Sequence, residues 1–171
     1  RHPQTAQTEL GEPGENGDGA GRPPAVLLDD VGGDDGEVAD LGEELGLDSA
    51  WLRHRHLQFG ISSPIAVMAA ASQRTSRIEL GTAVTPLGWE NPLRLAEDLA
   101  TVDVLSGGRI NAGVSVGTPM QYDTVKDALY PDTADVEDFS KTRVERLAGL
   151  LAGERVRELE GKQGVVEEYS S

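Results

Sequence analysis

The chain has 171 residues, enough for one domain with a core of its own. Its 30 acidic and 15 basic side chains give a net charge of -15, and a surface of that sign repels a phosphate backbone, which argues against nucleic-acid binding. Cysteine is absent, which excludes disulfides, thiolate metal sites and a cysteine nucleophile, and no apolar run nears the roughly 20 residues that span a bilayer. With no apolar signal core at the N-terminus either, the expectation is a soluble cytoplasmic protein that does not engage membranes.

Residues 1–33 are rich in Gly, Pro, Glu and Asp and read as a disordered acidic tail ahead of one domain over 34–171. Most of the charge excess lies early: up to Asp48 there are 13 acids against Arg1 and Arg22. Within the tail, Ala25-Val26-Leu27-Leu28 reads equally as a short first strand or as an apolar patch in a linker. Val38, Leu41 and Leu45 then fall on one helical face, with Gly46 as the stop. Ser49 to Leu57 reads as a strand. Ser63-Pro64 opens a helix, with serine as N-cap and proline in the first turn. Ile78 to Val84 is the next strand, and Asn91-Pro92 opens a third helix that Gly107-Gly108 ends. Ile110 to Val116 is a further strand, followed by Thr118-Pro119.

Strand then helix, repeated at an interval of roughly 30 residues, is the pattern of parallel βα units. The fold class is therefore α/β, with right-handed crossovers and helices outside the sheet. Beyond Pro119 the signals mix and suggest an inserted loop up to about residue 139. An amphipathic helix over 136–152 carries Val136, Phe139, Val144, Leu147, Leu150 and Leu151 on one face.

Three stretches invite a chemical reading. Gly113-Val114-Ser115-Val116-Gly117 fits G-x-S-x-G, the nucleophile elbow of serine hydrolases. That family needs a histidine after the serine, yet His2, His54 and His56 all precede Ser115, and there is no HGGG-like oxyanion loop. Strand alternation offers another account: Asn111, Gly113, Ser115 and Gly117 share a nearly bare face. Such a face suits a broad ligand at a strand's carboxyl end, or simply close packing against a neighbour. The second stretch is Arg53-His54-Arg55-His56, with the histidines on one face and the arginines on the other. Histidine could serve as acid or base near neutral pH, or ligate a metal, but no third ligand is evident, so no metal site is expected. A surface-exposed basic strand end is the plainer reading. The third stretch, Gly81 to Leu87, is a strand ending in small residues before a proline loop. Arg94, Glu97, Asp98 and Asp103 on the helix after it suit an outer, solvated face. No GxGxxG, Walker A, HExxH or EF-hand pattern occurs.

The ordered series GLDSAWLRHRHL, SSPIAVMAAASQRTSRIELGTAV, NPLRLAEDLATVDVLSGGRI and AGVSVG resembles the luciferase-like flavin-dependent monooxygenases, the family of bacterial luciferase. The similarity is close from Gly46 to Gly117, and Tyr122 to Leu151 is similar to one actinobacterial-type subgroup. It implies a (β/α)8 barrel of the TIM type that binds reduced FMN, or in some relatives F420, at the carboxyl ends of its strands. It further implies use of molecular oxygen on a small organic substrate, a flavin reductase as electron source, and a homo-oligomer. By the same resemblance, Ala83 and Val84 line the flavin ring, with a non-prolyl cis peptide near them. Ser115 and Val116 also border the flavin, and Arg55 and His56 lie at its reactive edge.

Three departures accompany this resemblance. The family's strand end Glu-His-His-Phe is matched here by His54-Arg55-His56-Leu57, so Arg55 stands where luciferase has its first histidine. An arginine stays charged and cannot act as a general base, though it could stabilise negative charge on the flavin. Ser115-Val116 replaces a Cys-Arg pair, removing a phosphate-binding arginine. Finally, three or four strands are legible where a closed barrel has eight, so an N-terminal fragment or truncated member is expected. The alternatives are a non-catalytic remnant that acts only by association, and an F420-dependent oxidoreductase on the same scaffold.

Overall fold

In a computed structural model, the structure describes residues 25–28 and 35–156. Four strands form one sheet in the order β1-β2-β3-β4, namely β1 (Ala25–Leu28), β2 (Ser49–Leu52), β3 (Glu79–Pro86) and β4 (Ile110–Ser115). Pairing of β1 with β2 and of β2 with β3 is parallel, with Ala25 opposite Ser49 and Ser49 opposite Glu79. Consecutive strands lie side by side because each is followed by a helical crossover: α1 (Asp35–Glu44), α2 (Pro64–Ser72) and α3 (Pro92–Ser106). Two more helices follow, α4 (Tyr122–Leu129) and α5 (Thr142–Leu151). The fold is α/β, as its alternation of elements implies.

Ala25–Leu28 is thus a strand, and it lies within the stretch that composition assigned to the tail; the rest of 1–33 falls outside the described residues. β2 is shorter than expected, ending at Leu52 rather than Leu57. Its partner β1 runs out at Leu28, whose carbonyl accepts the last ladder bond from Arg53 N (2.9 Å). Arg55 N then donates to Ile61 O instead, so the chain has turned off the sheet.

The described residues fall into two compact units. The first comprises the residues up to Thr85 together with Thr101–Gly113. Leu52, Met68, Ile78 and Leu80 are fully buried in it. α1 packs there by a face the periodicity did not pick out. Ala39 and Gly42 are buried, and a Cβ on Gly42 would meet Ile78 and Val26 at ordinary contact distance. Leu41 and Leu45, expected on the buried face, are exposed, Leu45 by 72%. Small residues let the helix lie close on the sheet, and that proximity decides the face.

Arg109, which follows Gly107-Gly108, fastens the first unit. Its guanidinium donates to the carbonyls of Ser72, Thr75, Ile78 and Ser106 and to Thr75 Oγ1, at 2.7–3.0 Å. Three of these acceptors, Ser72 O and the carbonyl and hydroxyl of Thr75, lie in or just after the last turn of α2, where carbonyls lack intrahelical donors. Both glycines have positive φ (72° and 84°), and Gly108 N reaches back to Asp103 O (2.8 Å) to close α3.

The second unit comprises Pro86–Ala100 and the residues from Val114 onward. It is organised around Arg143, only 4% exposed, which donates to the carbonyls of Leu87, Glu90 and Asp138 and to Tyr130 Oη, and pairs with Glu137. Its guanidinium also lies over the Phe139 ring at 4.9 Å. This network explains why α5 begins at Thr142 rather than at Val136: Phe139 is held against Tyr122, ring centroids 5.0 Å apart, while Val136 is 80% exposed. The segment read as an inserted loop contains a helix, α4, whose Val125 is buried.

Helix starts differ in mechanism. Asn91 Oδ1 accepts from Leu93 N and Arg94 N (3.0 and 3.3 Å), a side-chain cap as expected. Ser63 occupies the N-cap of α2 but makes no capping bond, so there Pro64 alone favours the start.

Candidate functional site

β3 lies between β2 and β4, so its carboxyl half occupies the middle of the sheet. Two glycines let the strands there approach closely. A Cβ on Gly81 would come within 2.6 Å of Asn111 O and of the Trp51 ring, which is itself anchored by Nε1 donating to Ser49 Oγ (2.9 Å). A Cβ on Gly113 would run into Thr82 O, and Thr82 Oγ1 donates to Gly113 O (2.7 Å). Of the two readings of the bare face of β4, close packing therefore accounts for Gly113. Ala83 and Val84 follow on β3, and both are exposed although the strand is internal, Val84 by 43%. The Ala83–Val84 peptide bond is cis, where the resemblance implies one. An exposed apolar dipeptide on an internal strand fits one face of a flat aromatic ring.

Arg53-His54-Arg55-His56 leaves the carboxyl end of β2. All four are half-buried, which corrects the reading of a surface-exposed basic strand end. His54 and His56 are brought together, with ring centroids 4.3 Å apart and planes tilted by 43°. His54 Nε2 donates to Ser62 O (2.9 Å). Burial, then the neighbouring His56, lowers the pKa of His54 from 6.5 to about 4, and burial lowers that of His56. Both rings are thereby held neutral near pH 7. Arg55 Nη1 donates to Gln58 Oε1 (3.3 Å), and the turn beyond contains Leu57 with φ 55°.

Ser115 and Val116 belong to the second unit, Ser115 half-buried at the end of β4 and Val116 exposed. No basic side chain stands at Val116, as the sequence departure already indicated. Also in the second unit, Glu90 is a half-buried carboxylate that no sequence motif marks. Burial and then the nearby Asp98 raise its pKa. Arg143, 53 residues further along the chain, donates to the Glu90 backbone carbonyl (2.9 Å).

These parallel βα units are those of a (β/α)8-type barrel, of which four strands lie among the described residues. Residues 14–163 match the family described as Luciferase-like monooxygenase, and the chain belongs to that family. Among curated relatives it is 36% identical over 113 residues to an F420-dependent glucose-6-phosphate dehydrogenase of Amycolatopsis mediterranei, covering 63% of this chain and 33% of that protein. It is 34% identical over 98 residues to the alkanal monooxygenase alpha chain of Photobacterium phosphoreum, covering 57% and 28%. The chain thus spans about a third of the length of these relatives. The crystal structure of monooxygenase RslO1 from Streptomyces bottropensis is similar with a TM-score of 0.60 and 26% identity, covering 75% of this chain and 39% of that one. No helix among the described residues is long and apolar enough to cross a membrane.

Proposed function

We propose that the chain is part of a flavin-dependent monooxygenase that acts on a small organic substrate with reduced FMN and molecular oxygen. The observation that carries this reading is the exposed Ala83-Val84 dipeptide in the middle of the sheet, in a member of this family. Reduced flavin supplies the electrons with which dioxygen is activated. Ala83 and Val84 offer an apolar floor that keeps water from one face of the ring. Arg55 supplies a permanent positive charge for the reactive edge, and His56, neutral near pH 7, can accept and return a proton there. Ser115 and Val116 are assigned to the ring's border by family resemblance alone. A separate flavin reductase and a homo-oligomeric assembly complete the proposal.

The test is a fluorescence titration with FMN of this chain and of a longer form carrying four further βα units. Saturable quenching is expected in the longer form, weakened about tenfold (~1.4 kcal/mol) by Val84→Glu. A folded longer form that does not bind FMN would overturn the reading. A second reading, F420 in place of FMN, is favoured by the 36% identity to an F420-dependent enzyme. Parallel titrations with the two cofactors separate them.

A further inference from the structure

We propose that His54 and His56 together chelate a borderline divalent transition-metal cation of the zinc or cobalt class. The site needs no bound flavin, and a metal held on His56 would displace the proton transfer proposed for that ring above. The two residues stand at i and i+2 on the chain leaving β2, and their imidazoles lie side by side with centroids 4.3 Å apart. Each offers a nitrogen within 4.8 Å of the other's. A tetrahedral zinc with bonds of ~2.0–2.1 Å needs its two nitrogens roughly 3.3 Å apart. The terminal torsion of a histidine ring is broad, so the His56 ring can turn to close that difference while Ser62 holds His54 in place.

The His54 ring is also oriented as a ligand is. Its Nε2 donates to Ser62 O (2.9 Å), which puts the ring's lone pair on Nδ1. Metal-ligating histidines are commonly held by such an outer hydrogen bond to a carbonyl. Ligation requires neutral imidazoles, and burial favours the neutral form of both rings. Imidazole nitrogens suit zinc, copper, nickel and cobalt over calcium or magnesium. With two protein nitrogens, the remaining coordination positions go to water or to a donor atom of a small molecule. Affinity is therefore expected in the micromolar range, well short of a closed structural zinc site.

The chain's third histidine, His2, adjoins the amino terminus and could bind metal by itself, so His2→Gln is the background for the test. Zinc chloride is titrated into that chain at pH 7 by calorimetry, and cobalt uptake is followed by visible absorption. One equivalent is expected, with affinity reduced at least about tenfold (~1.4 kcal/mol) by His54→Gln and by His56→Gln. Imidazole C–H resonances in the proton NMR spectrum provide a measurement that needs no site variant, and both should shift with zinc. No uptake, uptake that neither substitution weakens, or unshifted imidazole resonances would each overturn the proposal.

Discussion

Glu43, near the end of α1, shows how a single carboxylate can join two elements. It accepts the backbone N–H groups of Ser76, Arg77 and Ile78 and the hydroxyl of Ser76, at 2.7–3.0 Å, just ahead of β3. Burial works to raise its pKa, but the Ile78 and Arg77 amides and the Ser76 groups outweigh it and hold it at about 2, against an ordinary 4.5. A carboxylate with a depressed folded pKa contributes stability above its unfolded value and loses it as pH falls through the folded one. Glu43→Gln should therefore cost about 1–2 kcal/mol at neutral pH, a figure already reduced for solvent screening. It should also flatten the decline in stability between pH 4.5 and pH 2. Urea denaturation across that range checks both. In the sequence Glu43 is one acid among many on an acidic helix, and its partners lie 33 to 35 residues away, so no local pattern marks it.

At the scale of elements, the run Ser106-Gly107-Gly108-Arg109 acts as a joint. Ser106 Oγ donates to Asp103 O, the glycines turn the chain out of α3, and Arg109 collects the carbonyls at the end of α2. This arginine belongs to the stretch that carries much of the family resemblance, and its position is explained by packing, without appeal to a ligand. Arg109→Met keeps the aliphatic stem but leaves several half-buried carbonyls without their donor. It should lower stability by about 2–4 kcal/mol, measured by thermal or chemical unfolding. Arg109→Lys should recover only part of that loss, because an ammonium group lacks the planar fork that reaches several acceptors at once. Helix boundaries were legible where a side chain or glycine sets them locally, as at Asn91 and Gly107. They are not legible where contacts distant in sequence set them, as at Val136 and Phe139.

Among the described residues, β1 and β4 are the end strands of a four-stranded sheet, and Leu27 on β1 is exposed. Edge strands with apolar side chains favour pairing with another chain, whereas a net charge of -15 opposes it. Salt screens the repulsion and leaves the apolar attraction intact. Sedimentation velocity should therefore show a larger apparent mass at ~500 mM than at ~10 mM salt. A monomer of constant mass in both would count against the homo-oligomer.

The sequence alone determined the α/β class, the alternation of helices and strands from α1 to β4, and membership of the luciferase-like family. Periodicity, capping residues and motif spacing are local properties that a linear reading recovers. It also placed Arg55, His56, Ala83, Val84, Ser115 and Val116 at or beside the carboxyl ends of strands. Only the tertiary structure decided that β2 stops at Leu52, that α1 packs by Ala39 and Gly42, and that Gly113 is small because Thr82 O lies against it. It likewise turned two histidines read as a surface feature into a half-buried neutral pair. Each of those outcomes depends on which atoms approach from distant parts of the chain, and that distance information is absent from any local window of residues.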